Sequence, residues 1–153
     1  MTQPPALQPQ APRPRPETTA LFAELLWRGL PVSLRARGGS MWPFLRDGDV
    51  LTVLPLDRPA RLGEVLAVRR GDELVVHRAV RVRGRFAELQ GDALSRSDGS
   101  FAAADLLGRV VLLRRGAKSH APATLFPLLA APLLRLWLRF ARAALQRRDK
   151  IRR

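Results

Sequence analysis

Between residues 31 and 114 the chain is built from short runs in which apolar and polar residues alternate. A period of two is typical of strands with one buried face, and glycine, aspartate and proline between the runs predict turns. Arg70, Gly71 and Asp72 separate two such runs and predict a hairpin. The pattern indicates a mainly β fold, a compact antiparallel sheet or barrel. The predicted strands are 31–37, 49–54, 64–69, 73–82, 86–90 and 108–114.

Apolar residues at helical spacing precede this region and predict a short N-terminal helix from Thr18 or Thr19 to about Arg28. Thr18 is a candidate N-cap, and Gly29 followed by Pro31 is a stop signal. A helix packed on the β core is the simplest interpretation. The apolar positions are Leu21, Phe22, Leu25 and Leu26.

Composition divides the chain into three parts. Residues 1–16 are rich in proline and glutamine and contain no apolar stretch of the secretory type, so they predict a disordered leader. Residues 17–116 carry the predicted helix and strands and form the expected single domain. Residues 117–153 are first uncharged and apolar, then rich in arginine.

The C-terminal part predicts an amphipathic helix. Arg135, Arg139 and Arg142 fall on one helical face, and Trp137 lies on the apolar opposite side with several leucines. A basic face against a Leu/Trp face is typical of helices that lie on a membrane surface. The alternative is a helix docked on the β domain with solvated arginines. The apolar stretch before it is shorter than the about 20 residues that a transmembrane helix needs.

Net charge and residue composition limit the cofactors and partners that the chain could bind. The net charge is +14, and the chain contains no cysteine and only two histidines. Disulfides and thiolate metal sites are therefore excluded, and no ligand spacing for a metal is present, so we expect neither a metal nor another cofactor. The positive charge favours an anionic membrane surface as partner. Specific nucleic-acid binding is not expected, because aromatic residues are not interleaved with the arginines.

Ser40 is the first candidate for chemistry. It follows Gly38 and Gly39, which let the backbone turn sharply, and Pro43 prevents a regular helix or strand directly after it. Serine in a glycine-rich turn is common in ordinary loops. A catalytic role needs a nearby base.

His77 can supply that base. It lies in the apolar run 74–80, where strand alternation places Val75 and Ala79 on its own face. Imidazole can accept a serine proton near neutral pH, although a lone core histidine is more often a structural residue. Asp92 and Asp98 lie in a later polar loop and are both candidates to orient the ring. Turn capping is the alternative role for each carboxylate, and the residues alone do not choose between them.

These segments together resemble the signal peptidase I superfamily, over about residues 31–113. The Gly-Ser-Met-Trp-Pro turn with the later Gly48-Asp49 is similar to the nucleophile segment of that family. The strand around His77 is similar to its general-base strand. Further similar segments are 62–68, 91–98 and 107–111.

The resemblance also implies a subclass and its catalytic residues. Most bacterial relatives and the self-cleaving repressors have lysine at the position of His77, and residues 31–113 contain no lysine. The chain therefore resembles the Ser-His subclass found in the endoplasmic reticulum, archaea and some bacteria. The catalytic aspartate of that subclass corresponds to Asp98, which leaves Asp92 as an auxiliary carboxylate.

The resemblance implies acyl transfer to an extended peptide or preprotein with small residues before the cut. His77 takes the proton of Ser40, Asp98 orients the imidazole, and backbone N–H groups near Ser40 hold the oxyanion. Oxyanion and turn support is expected from Gly38, Gly39, Ser40 and Met41. Gly38 replaces a serine that many relatives use as a second donor.

Location is expected to differ from that of typical relatives. Those relatives carry an N-terminal membrane anchor, and residues 21–26 are too short for one. We expect a membrane-associated protein of a bacterial inner membrane, held peripherally or by its C-terminal part, on the cytoplasmic face. Oligomeric state is open.

Two other functions are considered. A non-catalytic β module could use its basic tail to bind anionic membrane or nucleic acid. An autoproteolytic regulator of the repressor type is the second alternative. It needs lysine in place of His77 and a DNA-binding domain that the leader and first helix are too short to form.

Overall fold

A computed structural model of the protein describes residues 16–122, and there one helix is followed by eight strands. The predictions for residues 1–15 and for Arg135, Trp137, Arg139 and Arg142 lie outside the described residues. The elements are α1 (Pro16–Trp27), β1 (Val32–Arg35), β2 (Val50–Pro55), β3 (Val65–Arg70), β4 (Glu73–Arg83), β5 (Phe86–Gln90), β6 (Gly99–Ala102), β7 (Leu106–Arg115) and β8 (Lys118–His120).

The described strands form one antiparallel sheet in the order β1-β2-β7-β3-β4-β5-β6, with β8 paired to β7. Register shifts interrupt the pairings β2–β7, β3–β7 and β4–β5. Such bulges bend a strand and increase its twist, so the sheet curls into a half-barrel. The predicted mainly β, antiparallel fold is confirmed.

The sheet is buried on both faces around β3. Val65 and Ala67 contribute to a core between the sheet and α1, while Leu66 and Val68 contribute to a second core on the opposite face with β5 and β6. All four side chains are at most 1% exposed. Burial on both sides explains why this strand is an uninterrupted apolar run rather than an alternating one.

The helix packs Ala23 and Leu26 into the first core. Its described part, Pro16–Trp27, already includes Thr18, so Thr18 is not its N-cap. No helix within the described part of the chain is long and apolar enough to cross a membrane.

The helix ends as predicted at its glycine. Gly29 has a φ of +81°, a conformation that glycine adopts without strain. Its N–H donates to the carbonyl of Leu26, and the N–H of Leu30 donates to the carbonyl of Leu25, both over 3.0 Å. These two bonds form a Schellman cap, which satisfies carbonyls that the helix end leaves open.

The predicted hairpin is confirmed, since Arg70 pairs with Glu73 across a turn of Gly71 and Asp72. Six strands lie close to their predicted positions, and two others, β6 and β8, were not predicted. Strand β6 has the sequence Gly-Ser-Phe-Ala, too short and too polar for alternation to mark it. Of the four residues of β6, Phe101 is the one that packs into the second core. His120 lies in exposed β8.

Candidate active site

Ser40 lies in the connection between β1 and β2, within a turn that is fixed in the core. Met41 and Leu45 are 5% and 3% exposed and pack into the first core. On the other side of Ser40, Gly38 has a φ of +75°, which favours glycine, and its N–H donates to Asp47 Oδ1 over 2.8 Å. The backbone of the serine is therefore held from both directions.

The end of this turn is held to β7 by hydrogen bonds between the buried carboxylate of Asp49 and Arg115. Arg115 donates two hydrogen bonds of 2.8 and 2.7 Å to the two oxygens of Asp49 and a third, of 3.1 Å, to the carbonyl of Phe44. The backbone N–H of Arg46 also donates to Asp49, over 2.7 Å. The Arg115 hydrogen bonds lower the pKa of Asp49 below its usual 3.8, although burial opposes the shift.

This clamp predicts a loss of stability in acid. A folded-state pKa below the unfolded-state value means that Asp49 stabilises the fold at pH values above the unfolded pKa. The contribution disappears as the pH falls through the lower, folded-state pKa. We therefore expect the melting temperature to fall less between pH 5 and about pH 2 in Asp49→Asn than in the unchanged protein. Asp72→Asn, a change in an exposed turn, is the control, and an equal acid dependence in all three proteins would contradict the prediction.

His77 lies on β4 with its ring at Ser40. Its Nε2 is 3.0 Å from Ser40 Oγ, which is hydrogen-bonding distance. The side chain is buried, and its backbone is fixed by pairing with Leu66 on β3. The two residues are 37 positions apart in the chain, so the sheet itself brings the hydroxyl and the imidazole together.

Asp98 lies on the other side of the imidazole, where its Oδ2 contacts His77 Nδ1. Two further bonds fix Asp98: its N–H donates to the carbonyl of Leu89 over 2.8 Å, and Arg70 Nη1 donates to Oδ1 over 2.9 Å. A carboxylate at Nδ1 favours a proton on that nitrogen and leaves Nε2 to accept the Ser40 hydroxyl proton. Serine, histidine and aspartate are thus connected in the order that nucleophilic catalysis needs.

Asp92 has a different place. Arg78 donates to both of its carboxylate oxygens, over 2.8 and 2.7 Å, and also to the carbonyl of Gly63 over 2.8 Å. The Arg78 and Asp92 side chains are 1% and 2% exposed, so this is a fully buried ion pair. Arg78 directly follows His77, and the pair therefore joins the histidine strand to the loop that contains Asp92.

That loop also contacts the backbone of the serine. The N–H of Ala93 donates to the carbonyl of Ser40 over 2.8 Å. Gly91 lies so close that a Cβ placed on it would be 2.6 Å from the same carbonyl oxygen. Only glycine permits this approach of two backbones.

Two backbone N–H groups at the serine are candidate donors to an oxyanion. Within residues 16–122, no hydrogen bond uses the N–H of Ser40 or of Met41. The N–H of Gly38 is occupied by Asp47, so this glycine supports the turn rather than offering a donor. Backbone donors at a nucleophile are suited to stabilise an oxyanion.

Ser40, His77 and Asp98 open into a cavity of about 810 Å³. Its walls include residues of α1, β1, the serine turn and β4, and they combine apolar side chains with four arginines. The volume is in the range of sites that hold small ligands or short peptide segments. In the described part of the chain, no group of histidine, aspartate and glutamate residues could hold a metal ion.

The motifs pointed to Ser40, His77 and the two candidate aspartates, and the structure separates the aspartates by partner. The motifs did not reveal Arg70, Asp47 or Ala93. Their contributions are a long-range ion pair, a side chain on a backbone N–H and a backbone hydrogen bond, and none of these leaves a pattern in one sequence. A glycine before Asp92 was visible, but its close approach to Ser40 was not.

Comparison with known protein families gives a match. A family model described as Peptidase S24-like matches residues 29–111, which include Ser40, His77 and Asp98. A search of curated proteins finds no match.

Proposed function

The chain belongs to the peptidase S24-like family, and from this premise we propose that it is a serine endopeptidase that cleaves leader or signal-type peptides. The family is of the serine-peptidase type and includes both peptidases and autoproteolytic repressors. The observation that carries the proposal is the contact of His77 Nε2 with Ser40 Oγ, at 3.0 Å, with Asp98 on the opposite ring nitrogen.

The proposed reaction proceeds by an acyl-enzyme. Ser40 Oγ attacks the scissile carbonyl while its proton passes to His77 Nε2, and Asp98 stabilises the imidazolium that forms. The N–H groups of Ser40 and Met41 hold the oxyanion. The imidazolium then gives its proton to the leaving amine, and water repeats the sequence to release the acyl group.

The peptide is proposed to bind as an added strand along β1. In the described sheet β1 has a strand partner on one side only, and its residues Ser33 and Arg35 line the cavity. An extended peptide gains backbone hydrogen bonds at such an edge. Small residues before the cut, of the Ala-x-Ala type, are the proposed preference.

Neither alternative has a specific observation in its favour. The self-cleaving repressors that this chain resembles use a lysine as base. Lys118 cannot take that role from its place in the structure, because it lies on exposed β8 and does not line the cavity. A non-catalytic module has no need for the connected Ser40, His77 and Asp98. Membrane association through residues 117–153 is a prediction from the sequence.

Covalent labelling tests the proposal. We expect a fluorophosphonate, which reacts with activated serines, to add one label per chain, at Ser40, and to block cleavage of an Ala-x-Ala peptide. Ser100→Ala, an exposed serine on β6, is the control and should label normally. Labelling that spreads over several serines, or that leaves cleavage intact, would contradict the assignment.

Gly91→Ala is expected to lower kcat/KM about 10- to 100-fold. The new Cβ would lie 2.6 Å from the Ser40 carbonyl oxygen, so the serine turn must shift. A displacement of about 1 Å can cost about 100-fold in rate. The rate of peptide hydrolysis measures the effect. The control is the reverse exchange in an exposed turn, Ala104→Gly, which should leave the rate unchanged. Unchanged kcat in a folded Gly91→Ala protein would show that the close approach does not position Ser40.

A further inference from the structure

The lining of the Ser40 cavity is rich in positive charge. Four arginines line it: Arg35, Arg37, Arg46 and Arg70. Of the described residues, only Asp98 contributes a carboxylate to the lining, and that carboxylate is bonded to His77 and Arg70. The cavity therefore presents more cationic than anionic groups to whatever enters it.

Among the described residues, the guanidinium groups of two of these arginines form no ion pair at contact distance. Arg35, the last residue of β1, is exposed, and its Nη1 reaches only the carbonyl of Gly48, at 3.4 Å. Arg46 is exposed too. Its charge helps to lower the pKa of Asp49, but both oxygens of that carboxylate are hydrogen-bonded to Arg115. Both guanidinium groups can therefore bind a ligand without breaking an ion pair of the protein.

An arginine on an open surface adds little binding energy, because water screens its charge. A peptide that fills the cavity excludes water, and a carboxylate there would form charge-assisted hydrogen bonds with the guanidinium. The clustered charge would also attract acidic peptides before contact. Apart from Asp98, the lining residues include no acid that would compete for the arginines.

We propose that this cavity selects peptides with a carboxylate side chain within a few residues of the scissile bond, and that Arg35 and Arg46 determine this preference. The inference rests on the proposed peptidase function and specifies its substrate class. Arg70 is not assigned to the substrate, because it holds Asp98. The occupant is the substrate peptide itself, since it must enter this cavity to reach Ser40.

Paired peptides test the inference. Each Ala-x-Ala peptide carries one glutamate at a single position around the cut, and its partner carries glutamine there. We expect at least one position at which glutamate raises kcat/KM about tenfold, mainly through KM, with the advantage shrinking as salt is added. In Arg35→Glu and Arg46→Glu the preference should disappear, or reverse toward lysine at the same position.

Arg83→Glu is the matched control, because Arg83 is exposed on β4 and does not line the cavity. It should keep the preference for glutamate, and Arg35→Gln should lose most of it without adding negative charge. Glutamate and glutamine peptides cleaved within twofold of each other at every position would overturn the inference while leaving the peptidase function in place. Equal loss of preference in Arg83→Glu would also overturn it. Absence of both cleavage and Ser40 labelling would overturn the peptidase function, and the inference with it.

Discussion

Replacing Ser40 by alanine is expected to lower kcat/KM for peptide hydrolysis by about 10⁴-fold or more. The hydroxyl that His77 Nε2 contacts at 3.0 Å would be gone, so no acyl-enzyme could form. Whatever rate remains would come from the oxyanion donors and from substrate binding. The measurement is cleavage of a fluorogenic Ala-x-Ala peptide under single-turnover conditions.

Two comparisons make this prediction specific. Ser100→Ala on exposed β6 should retain the full rate, which excludes a general effect of removing a hydroxyl. A Ser40→Ala, His77→Ala double variant should be about as slow as either single variant, because residues that act as a unit lose their contribution together. Multiplicative losses in the double variant, or cleavage that survives Ser40→Ala, would show that these residues do not form the catalytic pair.

Much of the fold could be predicted because the sheet is amphipathic or fully apolar along most strands. The run 65–68 is apolar at each position, and the structure buries it on both faces. The missed strand β6 forms because Phe101 and the pairing with β5 hold it in place. That pairing is a tertiary interaction. A four-residue segment with glycine and serine has too little intrinsic strand propensity to be predicted as a strand from the sequence.

The site was partly predictable for a similar reason. A serine in a Gly-Gly turn and a histidine in an apolar strand are unusual enough to attract attention in one sequence. The supports around them are long-range: Asp98 meets Arg70 28 positions away, and Asp49 meets Arg115 66 positions away. Such contacts depend on the order of strands in the sheet, which local pattern does not specify.

The two aspartates of the 91–98 loop show how one short segment can contain two roles. Asp92 neutralises a guanidinium that is 1% exposed, whereas Asp98 contacts the imidazole at the cavity. Removing one partner of a buried ion pair leaves an uncompensated charge in the core. Removing a carboxylate at the imidazole leaves the fold intact and affects the tautomer. The structure therefore predicts that the same change, aspartate to asparagine, lowers stability at position 92 and activity at position 98.

Asp98→Asn is expected to lower kcat by about 10³- to 10⁴-fold with little change in the free energy of unfolding. The asparagine amide can no longer hold the proton on His77 Nδ1, so Nε2 is no longer available to accept the Ser40 proton. Asp92→Asn should instead lower the free energy of unfolding by about 3–5 kcal/mol, because Arg78 would lose a buried counter-charge. Peptide hydrolysis and urea unfolding, measured on both variants, separate the two effects.

A compensating pair completes this test. Replacing both members, Arg78→Met with Asp92→Leu, removes both buried charges together and should recover most of the stability lost in Asp92→Asn. No such exchange should rescue Asp98→Asn, because its defect is in proton transfer rather than in the core. If Asp92→Asn were stable but inactive and Asp98→Asn were active, the roles of the two carboxylates would be reversed. The contact between Asp98 and His77 would then be structural, and the orienting group would have to reach the imidazole from Asp92.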